Sequence, residues 1–176
     1  MRIFLSLSLA LIIFQAPAQS FKTSTQKGVD LRQYKTFTVE QGAIATGGVR
    51  KIDNDAFFSE FKSFVMREME SRGYVFSSGA AEVSISYVVE LVTQMESHDL
   101  GPLGGAPVDN AARVDQPQHW SREFTRGTLI IDMSDVTKKE SVWSATGTMD
   151  VTKAKGAKLL DKCVRKAFKK FPKKKK

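Results

Sequence analysis

The longest regular alternation in the chain is "EVSISYVVELVTQ", Glu82–Gln94. Val83, Ile85, Tyr87, Val89 and Leu91 share one side of an extended strand; Ser84, Ser86, Val88, Glu90 and Val92 share the other. Period-two patterning of this kind predicts a strand buried on one face and half-wet on the other, as in a sheet covered by helices on a single side. A second stretch, "GTLIIDMSDVTKKESVWSATGTM" (Gly127–Met149), alternates, breaks at the charged turn Asp135–Lys139 and alternates again. Leu129, Ile131 and Met133 before the turn and Trp143, Ala145 and Met149 after it make the apolar side of a predicted hairpin.

Two stretches carry the helical period instead. Phe57, Phe61, Phe64, Val65 and Met69 recur at helix spacing behind Asp53 and Asp55, either of which is suited to accept from free amides at a helix start. Gly73 follows as a residue able to take the left-handed conformation that ends helices. Near the C-terminus, Leu159, Leu160, Cys163, Val164, Ala167, Phe168 and Phe171 form one continuous stripe, and Pro172 stops it. At about 1.5–3 kcal/mol per large apolar side chain, burying that stripe contributes around 10 kcal/mol before entropy is counted.

Tyr34–Val39 reads as an early strand with Phe37 and Val39 on one face. Phe21–Asp30 is polar and is expected to be a flexible lead-in, and Gln41–Gly48 a Gly/Ala/Thr loop. The order β-α-β-β-β-α predicts an α+β fold, a largely antiparallel sheet with two helices packed on one face. The length, 176 residues, suits one domain, expected over 19–172.

Charge is unevenly placed. From Lys153 onward lie twelve of the 27 Lys/Arg but only one of the 19 acids, which leaves 15 basic against 18 acidic residues elsewhere. The body is slightly acidic and the end strongly basic. Lys162, Arg165, Lys166, Lys169 and Lys170 line the polar side of the last helix, and Lys173, Lys174, Lys175 and Lys176 form a tail at 173–176. These nine residues are the candidate contact with an anionic envelope surface of lipid headgroups, lipopolysaccharide or cell-wall polymer, at about 1 kcal/mol per cation near an anionic membrane. The same pattern also serves a solvated helix face with a solubilising tail.

The start of the chain supplies an address. A short positive beginning, Met1–Arg2, precedes residues 3–14, apolar except for Ser6 and Ser8, and then Ala16-Pro17-Ala18. That is the three-part pattern of a secretory signal, expected over 1–18 with a cut between Ala18 and Gln19. An apolar run of that length spans roughly 18 Å as a helix, short of the roughly 30 Å hydrocarbon core, so no transmembrane segment is expected after signal removal. The expected location is the periplasm or the outer-membrane surface, where nucleic acid is an improbable partner and another envelope protein a natural one. The single cysteine, Cys163, has no internal disulfide partner and reads as a small core residue.

Candidate chemistry is sparse. Residues 95–124 are expected to be one long irregular loop carrying His98, His119, Asp99, Asp109 and Asp115. Loops of that length are often functional, and imidazole with carboxylate suits a transition metal, but the spacing matches no compact metal motif. No serine sits in a Gly-x-Ser-x-Gly elbow, and "GPLGG" lacks the Lys-Ser/Thr of a phosphate loop. The expectation is a non-enzymatic binding or structural module with no cofactor. The alternative is a hydrolase or metal-dependent enzyme with its site in the 95–124 loop.

Several segments together, "YKTFTV", "RGY", "AEVSISY", "GTLIIDMSD", "KKESVWSAT" and "AFKKFP", resemble a bacterial family known as domain of unknown function 4136 (DUF4136). The resemblance covers most of Gln19–Pro172 and is most specific over Gly127–Thr146. It implies an α+β fold and an envelope setting, with no established activity and no catalytic residues to carry across. Many members look like lipoproteins; this chain departs from them in lacking an acceptor cysteine after the apolar run.

Overall fold

The structure, a computed structural model, describes residues 21–47, 52–99, 119–151 and 156–174; the side chains of 96–99, 119–123 and 150 fall outside it. The expected signal segment 1–18, its cut at Ala18/Gln19, and Lys175 and Lys176 therefore lie outside the described residues. Along the chain run β1 (Phe21–Thr25), a 3-10 turn (Leu31–Gln33), β2 (Thr36–Val39), β3 (Ala43–Ala45), α1 (Asn54–Glu70), β4 (Val75–Phe76), β5 (Val83–Asp99), β6 (His119–Asp135), β7 (Glu140–Asp150) and α2 (Gly156–Phe168). The seven strands form one open sheet in the order β1-β7-β6-β5-β2-β4, with β3 also paired to β5. The β1–β7, β7–β6 and β6–β5 pairs are antiparallel; β2 with β4, β2 with β5, and β3 with β5 are parallel. The fold is the expected α+β type, its sheet mixed and mostly antiparallel.

Register converts the alternation into rows across the sheet. Val39, Ile85, Met133 and Trp143 make one row, Tyr87, Ile131 and Ala145 the next, then Val89, Leu129, Gly147 and Phe21, and last Leu91, Gly127 and Met149. Directly opposed residues share a face, and this face is the buried one: Ile85, Tyr87, Leu129, Ile131 and Ala145 are nearly or wholly inaccessible. Both helices lie on it. The rings of Phe57 and Phe61 from α1 meet Tyr87 at centroid separations of 4.9 and 4.7 Å, and Phe168 from α2 meets Trp143 at 5.1 Å. Arg67 of α1 pairs with Asp161 of α2 across the helix interface. The reverse face carries short polar side chains such as Ser84, Ser86, Thr146 and Thr148, with Val88 and Val92 exposed among them.

Local chemistry sets the helix limits. The Asp53 carboxylate accepts from the amides of Asp55 and Ala56 and caps α1. Gly73, at φ 87°, ends it in the left-handed region. On α2, Leu160, Cys163, Val164, Ala167 and Phe168 are buried, as is Phe171 just beyond. Arg72 donates to the carbonyl of Phe168 at 2.8 Å and occupies the C-terminal end of α2, where a cation suits the dipole.

Three expectations need correction. Phe21–Asp30 is not a free lead-in: its first five residues are edge strand β1. Only Phe21 of β1 is partly covered, so the edge strand shows no alternation to read. The expected loop 41–48 contains β3, short and made of Ala and Ile. The expected irregular loop 95–124 is strand at both ends, because β5 continues to Asp99 and β6 begins at His119, paired residue by residue. Polar, non-alternating sequence concealed these pairs; residues 100–118 lie outside the described part. A bulge adds one further core residue. Met133 pairs with Trp143 but Ser134 with Ser141, so Val142 is the extra residue and is buried beside Trp143.

Candidate functional site

Both helices begin over the same end of the sheet, and a cleft of about 530 Å³ opens between their N-terminal turns and the strands. Its floor is the end of the buried rows: Val89, Leu91, Leu129 and Met149. One wall is Ile52 and Phe57 on the α1 side; the other is Leu159 and Leu160 of α2. Gly127 lies in that floor, where a Cβ would stand 3.1 Å from Leu91 Cδ2 and from Val151 Cγ1 and 3.3 Å from Met149 Cγ. A glycine inside a strand marks such crowding: a side chain here would push Leu91 and Met149 into the cleft. Volume and apolar lining fall within the range of small-molecule sites.

The polar lining residues are Asp53, Glu60, Thr125 and Thr128. Asp53 and Glu60 are exposed on the α1 side, and the Asp53 carboxylate is engaged by its own helix cap. Gly156 and Ala157, the exposed first residues of α2, form the opposite lip, and Lys158 beside them is exposed. The first turn of α2 holds no acid.

The basic end is heterogeneous. Lys162, Lys169, Lys170 and Lys173 are exposed. Arg165 is exposed but pairs with Asp161 at 3.1 Å, the same carboxylate that Arg67 holds. These two guanidiniums keep the Asp161 carboxyl below the usual range, the Arg67 hydrogen bond first. Lys166 is half-buried. Lys174 lies over the Tyr74 ring at 5.1 Å, and its amide donates to the Arg72 carbonyl, so this part of the tail is packed on the body.

Of the loop candidates, His98 pairs through its backbone with Trp120, and Asp99 with His119; their side chains, and Asp109 and Asp115, lie outside the described residues. Among the described residues no three His, Cys, Asp or Glu side chains are grouped as a metal site. Cys163 is wholly buried with its Sγ 3.7 Å from Met149 Sδ, and burial pushes its thiol up to about 11. The buried Asp135 carboxylate accepts from the Tyr34 hydroxyl at 3.0 Å and from the amides of Thr137 and Lys138. Those bonds, Lys138's first, hold its carboxyl below the usual range and fix the β6–β7 turn. No described helix is long and apolar enough to cross a membrane.

Sequence reading found the basic end but not the cleft. Phe57, Val89, Leu91, Leu129, Met149, Leu159 and Leu160 carry the same apolar periodicity as the core, and nothing in that pattern sets them apart as lining. The one local signal was Gly127, a glycine opening an otherwise apolar alternation.

The family model described as "Domain of unknown function (DUF4136)" matches residues 21–173. No curated protein matches the chain. Among solved structures, the PelC dodecamer from Paraburkholderia phytofirmans is similar at 15% identity, covering 89% of this chain and 99% of that one with a TM-score of 0.50. A PDZ domain protein from Parabacteroides distasonis is similar at 14% identity with a TM-score of 0.53; 90% of this chain corresponds to 36% of that one. A DUF4136 family protein from Bacteroides thetaiotaomicron is similar at 12% identity over 86% of this chain and 95% of that one, with a TM-score of 0.49. At such identities the likenesses to the PelC and PDZ domain structures bear on the fold alone.

Proposed function

We propose, from the premise that the chain belongs to the DUF4136 family, that it is an exported, non-enzymatic module of the bacterial cell envelope held to an anionic surface by its basic C-terminal end. The observation that carries this reading is the division of α2: its apolar stripe is buried against the sheet, while Lys162, Lys169 and Lys170 are left in solvent, followed by Lys173. Solvated lysines keep their reach, and an anionic layer attracts each by about 1 kcal/mol within a screening length of about 8–10 Å. The signal pattern of residues 1–18 supports export to the periplasm or the outer-membrane surface.

The test is sedimentation of the mature protein with phosphatidylglycerol vesicles. Binding is expected at low salt, weakened by 0.3 M salt and absent with phosphatidylcholine. Lys162→Glu, Lys169→Glu and Lys170→Glu together remove about 3 kcal/mol of attraction and add like-charge repulsion, cutting binding more than a hundredfold. Equal binding by that variant overturns the reading.

A second reading, self-assembly, is favoured by one observation. β5 and β6 run on as a two-stranded ribbon past Arg126, where β7 ends its pairing, to Asp99 and His119. Among the described residues no third strand pairs with it there; a two-stranded ribbon is marginal in water and an unpaired edge invites another strand, and the similar PelC structure is a dodecamer. Native mass spectrometry of the purified protein decides: a discrete ring-sized species supports assembly, and monomer at all concentrations ends it.

A further inference from the structure

We infer that the cleft between the N-termini of α1 and α2 is a binding site for a single acyl chain of an anionic amphiphile. Most of the floor and walls, from Val89, Leu91, Leu129 and Met149 to Phe57 and Leu160, presents hydrocarbon and thioether surface, with Thr125 and Thr128 also in the lining. An unbranched hydrocarbon asks for no hydrogen-bond partner and gains from every methylene withdrawn from water. The volume, about 530 Å³, is that of a ligand site rather than a packing defect. Gly127 keeps the floor low where any side chain would raise it.

The head group is specified by the lip. α2 starts at the cleft with Gly156 and Ala157, so the positive end of its dipole lies there, with no acid in its first turn. Lys158, between the lining residues Ala157 and Leu159, is exposed beside the lip without being part of the lining. On the α1 side Asp53 is held in its cap and Glu60 is exposed, which turns an anionic head toward α2. The site goes beyond the anionic-surface reading: the surface lysines do not line it, and it works in solution without a membrane.

Displacement of a dansyl-labelled undecanoate by unlabelled fatty acids, below their micelle concentrations, tests the site on the full mature protein. Saturable one-to-one binding is expected, with affinity rising about fourfold per methylene until the chain outgrows the cleft. Dodecanoate should bind at least tenfold more tightly than dodecyltrimethylammonium. Ala157→Trp and Ala56→Phe place bulk on opposite walls at exposed positions. Each should weaken binding at least tenfold with Tm unchanged, and two walls keep the test alive if one variant fails to fold. The Lys162, Lys169 and Lys170 charge-reversal variant should bind the acid normally, which separates this site from surface attachment. No saturable binding of any chain from eight to sixteen carbons, wild-type affinity in both filled variants, or equal affinity for the cationic amphiphile overturns the inference.

Discussion

The ring of Phe21 lies directly over Gly147, so close that a Cβ on residue 147 would stand 2.5 Å from the ring's Cζ. Phe21 and Gly147 are also paired in register, the first residue of β1 against β7. The missing side chain is the seat of the ring, and this contact holds the edge strand to the sheet. Gly147→Ala should lift the ring and cost about 1 kcal/mol, the modest end of overpacking because a half-exposed ring can swing aside. Phe21→Ala should cost a similar amount. In the double variant the two losses should overlap, measured as a non-additive cycle in urea unfolding; simple additivity would show that the ring does not rest on Gly147.

Gly42 meets backbone instead of a movable ring. A Cβ there would fall 1.7 Å from the carbonyl oxygen of Tyr87. No rotamer relieves that overlap, so β3 would have to leave β5. Gly42→Ala should cost about 3 kcal/mol, several times the cost of Gly147→Ala, and hydrogen exchange should show the amides of Ala43–Ala45 losing protection.

Stability should fall on the acid side. The carboxyls of Asp135, Asp161 and Glu82 are each held below their ordinary range, by the Lys138 amide, the Arg67 guanidinium and the Lys35 amide respectively as the leading causes. A group lowered in the folded state stabilises above its unfolded pKa, about 4, and loses that contribution as pH falls through the lower folded value. The urea midpoint should therefore be flat near neutrality and drop below roughly pH 4. Asp135→Asn should be less stable than wild type at pH 7, with the gap closing in acid; a constant gap would contradict the assignment.

Cys163 should be inert in the folded protein. With its thiol buried and pushed up to about 11, almost no thiolate exists at pH 8. Ellman's reagent should react at the rate of global opening and fast only in denaturant. Cys163→Ser should cost about 1–3 kcal/mol by burying a hydroxyl against Met149 and apolar neighbours. Fast native labelling would place the thiol at the surface.

Residue by residue, legibility followed distance along the chain. Tyr87 and Ile131 could be assigned to the core because their neighbours two positions away repeat the pattern, and both are buried. Phe168 was equally plain from helical spacing. Phe21 could not be placed, because its partner Gly147 is remote and the intervening β1 residues are polar and exposed. The ends of β5 and β6 are hidden likewise: their sequence does not alternate, and only the backbone pairing reveals them.

By itself the sequence determined the faces of the long strands, the two helices with their capping residues, the basic end and the family. Each of these is written in a period of two or of 3.6 residues, or in local composition, and needs no distant partner. Tertiary structure alone decided the edge pairing of β1, the parallel placement of β3 and the reach of the ribbon. It also decided that two helix starts stand apart over Gly127. Those features arise where residues from separate elements meet or fail to meet, and the gap left between elements has no period along the chain.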